Sequence, residues 1–65
     1  MQLKIGKKLR QSRYERGFTQ ENMAELLKIS SKTYARFEQD KAEMKLSTFI
    51  QFCQVLDKTP SELID

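Results

Sequence analysis

Two short helical patterns, Thr19 to Leu27 and Ser31 to Glu38, stand back to back in the middle of the chain with three residues between them. So short a connection forces the second helix to pack directly beside the first. The opening Phe18-Thr19-Gln20-Glu21 places a Thr hydroxyl to accept from a free backbone N–H of the first turn, with Glu21 complementing the positive helix end. Thr19 is therefore the expected N-cap. In Ile29-Ser30-Ser31-Lys32-Thr33, Ser30 is placed to cap a second helix whose first turn is polar and cationic. The spacing predicts a helix-turn-helix spanning about residues 19–38, and a helix start of that kind suits a nucleic-acid groove.

The remaining apolar residues recur at steps of three or four throughout. Ile5 and Leu9 begin a helix of about Leu3 to Glu15, which Gly17 stops because it is free to take a left-handed conformation. Phe18 turns the chain inward. Met23, Ala24 and Leu27 form one face of the second helix, Tyr34 and Phe37 the inner face of the third, and Ile29 plugs the turn. The polar stretch Gln39 to Lys45 reads as a loop, although its Ala, Glu and Lys are also able to extend the third helix. Ser47 is the expected cap of a fourth helix ending at Leu56, with Phe49, Phe52, Cys53 and Leu56 inward. Thr59-Pro60-Ser61-Glu62 reads as the cleanest capping box in the chain, with Pro at the first helical position and Glu reaching back to the cap. Leu63, with Ile64 as a further candidate, closes the core. The result is a compact, all-α, five-helix domain over residues 1–65, without strands, repeats or low-complexity segments.

Length and composition then limit the chemistry. A chain of 65 residues buries about 60% of the surface it exposes when unfolded, which leaves no room for a second domain or a deep substrate cleft. No histidine is present, so the commonest general base and metal ligand are both missing, and the two glycines, Gly6 and Gly17, write no phosphate-cradling loop. Cys53 is the only cysteine and falls at an apolar helix position, which excludes a disulfide or a thiol zinc site and fits a reducing cytoplasm. An enzyme, a metal site, a cofactor and a small-molecule ligand are not expected. No apolar run of about 18 residues is present to span a membrane, and there is no apolar secretion signal.

Twelve Lys and Arg against nine Asp and Glu give a formal charge of +3, a modest excess that gains meaning from its distribution. Lys4, Lys7, Lys8, Arg10, Arg13 and Arg16 all fall within the first sixteen residues. An anionic partner and a solvated helix face with stems covering the core edge are both consistent with that crowding. The aromatic residues are mostly at inward positions, Tyr14 excepted, so stacking on single-stranded nucleic acid is not favoured.

Gly6-Lys7-Lys8-Leu9-Arg10, Arg13, Gly17-Phe18-Thr19-Gln20-Glu21, Met23-Ala24, Leu27, Ile29-Ser30, Tyr34-Ala35-Arg36-Phe37-Glu38 and Pro60-Ser61-Glu62-Leu63 together resemble the phage Cro and lambda-type repressor helix-turn-helix family. The resemblance covers about Ile5 to Ile64. It implies a regulator, expected to be a repressor, that binds operator DNA as a two-fold dimer with the third helix in the major groove. It further implies base-edge contacts from Ser31, Lys32, Thr33 and Arg36, with Arg36 giving paired hydrogen bonds to guanine. Gln20 on one side and Gln39, Lys41 and Lys45 on the other would hold phosphates. Arg13 and Glu38 match a buried structural pair that joins the first helix to the end of the third.

Two residues depart from that pattern. Lys28 and Asp40 stand where the family usually has Gly, so a strained or rearranged turn is expected at Lys28, and the Asp40 carboxylate, with Glu43 beside it, is expected to repel a close phosphate. These departures leave open an alternative of another class, a protein-interaction module of the same fold that has lost DNA binding. Met44, Leu46, Ile50 and Val55 supply either a self-complementary dimer patch or the last of the core.

Overall fold

The computed structural model describes residues 4–64 and contains five helices, α1 (Gly6–Glu15), α2 (Gln20–Leu27), α3 (Ser31–Glu38), α4 (Leu46–Leu56) and α5 (Pro60–Ile64). No strand occurs among the described residues. Helix α2 packs on α3 and α4, while α1 lies against α3, α4 and α5. The centre is filled by Leu9, Met23, Tyr34, Phe52, Leu56 and Leu63, all essentially without solvent contact. Phe52 of α4 meets the rings of Tyr34 and Phe37 edge-on, at centroid distances of 6.0 and 5.5 Å. Cys53 belongs to the same core.

Helix starts follow local chemistry where a side-chain cap exists. At α2 the box is reciprocal: the Asn22 N–H donates to Thr19 Oγ1 at 3.0 Å, and the Thr19 N–H donates to Asn22 Oδ1 at 2.9 Å. Both halves of a capping box are thus present here. At α5 the Thr59 N–H donates to Glu62 Oε1 at 2.8 Å, but the Thr59 hydroxyl also donates to that carboxylate, so the return half from the Glu62 N–H goes to the Thr59 carbonyl instead.

Two starts differ from the sequence reading. Helix α1 begins at Gly6, and neither Lys4 nor Ile5 is helical; Leu3 lies outside the described residues. The reason is a cap from far along the chain, since Asp40 Oδ1 accepts the Gly6 N–H at 2.9 Å. Helix α4 begins at Leu46 after an extended Lys45, with no side-chain cap, rather than after Ser47. Met44 is buried immediately before it, and with the chain anchored there the backbone bond from Phe49 N–H to the Lys45 carbonyl closes the first turn at once. Met44 is thereby a core residue and Val55 packs against the core, whereas Leu46 and Ile50 stay exposed. Ile64 is likewise exposed and does not close the core.

Gly6 also fixes how near α1 comes to α3. A Cβ at that position would collide with the Glu38 carbonyl, falling 2.6 Å from its carbon. The amino end of α1 and the carboxyl end of α3 are thus in backbone contact.

Candidate nucleic-acid interface

The helix-turn-helix is closed by a left-handed Lys28 at φ 58°, with Lys28 N–H donating to Glu25 and Ile29 N–H to Ala24. Those paired bonds satisfy the last carbonyls of α2 and reverse the chain within three residues. Ser30 then caps α3, its Oγ accepting from the Thr33 N–H at 3.1 Å. Both caps stand where the sequence places them.

Helix α3 buries Tyr34, Phe37 and Glu38, and at about 100° per residue the opposite side is occupied by Lys32, Arg36 and Gln39. All three are exposed. Ser31 and Thr33 are exposed too, flanking that stripe on either side rather than extending it. The Thr33 hydroxyl accepts the Ser30 hydroxyl hydrogen at 2.9 Å, so its own hydrogen and its methyl remain for a partner. Arg36 Nη2 donates to the Lys41 carbonyl at 3.2 Å, which lays the guanidinium toward the loop after α3. The remaining four donors of its fork are not used by that bond.

On the flanks, Gln39, Lys41 and Lys45 are exposed, while Gln20 is half-buried. Gln20 Nε2 donates one hydrogen to Glu38 Oε1 at 3.2 Å, and its second hydrogen is not used by that bond. The Asp40 carboxylate is directed at the Gly6 N–H, in the middle of the molecule's α1–α3 contact. That structural engagement, which the sequence does not announce, places the carboxylate but leaves its negative charge in place.

Behind the stripe lies a polar cluster built on Glu38, whose side chain is 1% exposed. Arg13 Nε donates to Oε2 at 2.6 Å and Arg13 Nη2 approaches Oε1 at 3.4 Å, with Nη1 donating to the Phe18 carbonyl at 2.9 Å. The Tyr34 hydroxyl donates to Oε2 at 2.5 Å, and Arg10 Nε lies 3.5 Å from Oε1. Burial pushes the Glu38 carboxyl up, but the hydrogen bonds from Arg13, Tyr34 and Gln20 outweigh it and hold the group below its ordinary value. Arg13 is raised chiefly by its bond to Glu38, and the Tyr34 phenol is raised by burial first and by Glu38 second. The Arg13–Glu38 pair is as anticipated; the roles of Tyr34, Gln20 and Arg10 around it are not visible in the spacing. No buried side-chain polar atom among the described residues lacks a partner.

A short helix, a left-handed turn and a second helix that presents Lys32 and Arg36 outward define a helix-turn-helix domain of the DNA-binding kind. The chain belongs to the helix-turn-helix domain family, whose model matches residues 6–65. Its fold is similar to that of the restriction-modification controller protein C.AhdI from Aeromonas hydrophila, with a TM-score of 0.84 and 28% identity over 94% of this chain and 92% of that one. It is also similar in fold to the clp gene regulator ClgR from Corynebacterium glutamicum, with a TM-score of 0.86 and 22% identity, where it covers 92% of this chain and 64% of the other. No curated protein matches the chain. Among the described residues no helix is long and apolar enough to cross a membrane.

Proposed function

We propose that this chain is a sequence-specific regulator of transcription that binds duplex DNA as a homodimer, inserts α3 into the major groove and represses. The observation that carries the reading is the outward stripe of Lys32 and Arg36 on a capped helix, flanked by Ser31 and Thr33. Arg36 reads a guanine through O6 and N7, Lys32 reaches the same kind of acceptor as a point charge, and Ser31 and Thr33 touch the neighbouring bases. Gln20 holds a phosphate on one side, and Gln39, Lys41 and Lys45 hold the backbone on the other. The similarity to a controller protein of a restriction-modification system supports a regulatory role for a domain of this size.

The alternative, a protein-interaction module without DNA affinity, draws on Asp40 as a repelling charge. That carboxylate also caps α1 through the Gly6 N–H, a structural role that either reading accommodates.

Selection of bound duplexes from a random library tests the proposal directly, because it returns the site, its symmetry and its half-site spacing. Titration of the selected and of mixed-sequence duplex then separates the roles. Arg36→Ala should relax discrimination at one position of each half-site by about 1–3 kcal/mol, whereas Lys41→Ala should weaken binding to every sequence alike and flatten its salt dependence. Absence of even micromolar binding to mixed-sequence duplex at low salt would favour the interaction module.

A further inference from the structure

Helix α1 turns a second face to solvent. Lys7, Arg10, Gln11 and Tyr14, at successive helical steps, line a shallow depression of about 240 Å³ there. Each of the four ends in a hydrogen-bond donor and none is a carboxylate. The row is about 10 Å long at the rise of a helix. Arg10 joins this face to the helix-turn-helix, because Arg10 Nε and Gln20 Nε2 approach the same oxygen, Glu38 Oε1, at 3.5 and 3.2 Å. Two nitrogens that share one acceptor at those distances lie within about 7 Å of each other. Half of the Arg10 side chain nevertheless stays in solvent, unlike that of Arg13, which is 8% exposed and consumed by the core.

We infer that Arg10 is a phosphate-binding residue of the DNA complex. Together with Gln20 it grips one backbone phosphate beside the start of α2, and Lys7, one turn earlier on α1, continues the contact along the same strand. This inference rests on the DNA-binding reading above and extends its contact surface onto α1, to residues that are neither on the recognition helix nor on its loop.

The test is the salt dependence of binding to a mixed-sequence duplex by the whole chain. Each neutralised phosphate adds about 0.9 to the slope of log K against log salt. Arg10→Ala and Arg10→Gln should each flatten the slope by about one, Lys7→Ala combined with Arg10→Ala by about two, and Arg10→Lys should restore the wild-type value. Lys58→Ala, which removes an equal charge at the other end of α1 where Lys58 Nζ pairs with Glu15 at 3.0 Å, should leave the slope unchanged. Thermal melts of the Arg10 variants should stay close to wild type, because Arg13, Tyr34 and Gln20 still satisfy Glu38. A wild-type slope in Arg10→Ala and Arg10→Gln would overturn the assignment while leaving the DNA-binding reading intact, as would equal flattening by Lys58→Ala. Failure of the wild-type chain to bind any duplex would overturn both.

Discussion

A carboxylate as deeply placed as Glu38 is costly to bury, and it is tolerated because donors from three helices converge on it. Removing Arg13 leaves that charge with only Tyr34, Gln20 and the looser Arg10. Arg13→Ala should then cost about 3–5 kcal/mol, an amount comparable with the whole stability of so small a domain, and far-ultraviolet circular dichroism should show a largely unfolded chain near room temperature. Lost DNA binding in that variant would report folding rather than contact. The same cluster sets an acid limit. Because the folded carboxyl is held below its ordinary value, its contribution is in place above that value and disappears as pH falls through the depressed one. Urea midpoints measured from neutral pH downward should therefore fall more steeply for wild type than for Glu38→Gln, which starts lower. At the alkaline end Tyr34 behaves in the opposite sense: its phenol, held protonated by burial and Glu38, contributes below its ordinary value and is lost only at still higher pH.

At the scale of the elements, α1 to α4 all stop in the same way, on a left-handed residue. Gly17, Lys28, Asp40 and Asp57 have φ of 70°, 58°, 58° and 54°, and each end carries the paired backbone bonds that satisfy the last carbonyls. Only the first is glycine, so three ends carry steric strain. Lys28→Gly and Asp57→Gly should each raise stability by roughly 0.5–1 kcal/mol, read as a higher urea midpoint. Asp40→Gly should fail to do so, because it also deletes the side chain that caps α1. The contrast shows what a sequence discloses about such a fold. Ser30, Thr19 and the three-and-four spacing of Met23, Leu27, Tyr34 and Phe37 act within one turn of chain, so the bounds of α2 and α3 are legible. The start of α1 is not, since its cap lies 34 residues away. The exposure of Lys32 and Arg36 on α3 is likewise legible from periodicity, although Ser31 falls about a quarter-turn or more away from them, whereas the convergence of Arg10 and Gln20 on Glu38 exists only once α1, α2 and α3 are packed.

The described part of the molecule has a longest extent of 26 Å and, in the proposed complex, offers the groove one helix of eight residues, α3. A helix of that length reaches only a few base pairs, and at about 1–3 kcal/mol per pair one copy supplies too little discrimination against the many competing sites of a genome. Two copies related by a two-fold axis double the contacts, provided their recognition helices stand about 34 Å apart, one turn of the duplex. Each α3 then stands about 17 Å from the two-fold axis, so the pairing surface lies at that remove from α3, on the flank turned to the axis. Leu46 and Ile50, 71% and 40% exposed on the same side of α4, are the large apolar side chains that α4 offers for it. Leu46→Asp with Ile50→Asp should keep the helical spectrum, reduce the mass seen by light scattering from two chains to one, and lower affinity for a two-fold symmetric site far more than affinity for mixed-sequence duplex. Small-angle scattering of the wild type on its selected duplex should show two domains on one face of the DNA; a single bound copy, or equal losses on both duplexes for the double variant, would require the pairing surface to be sought elsewhere.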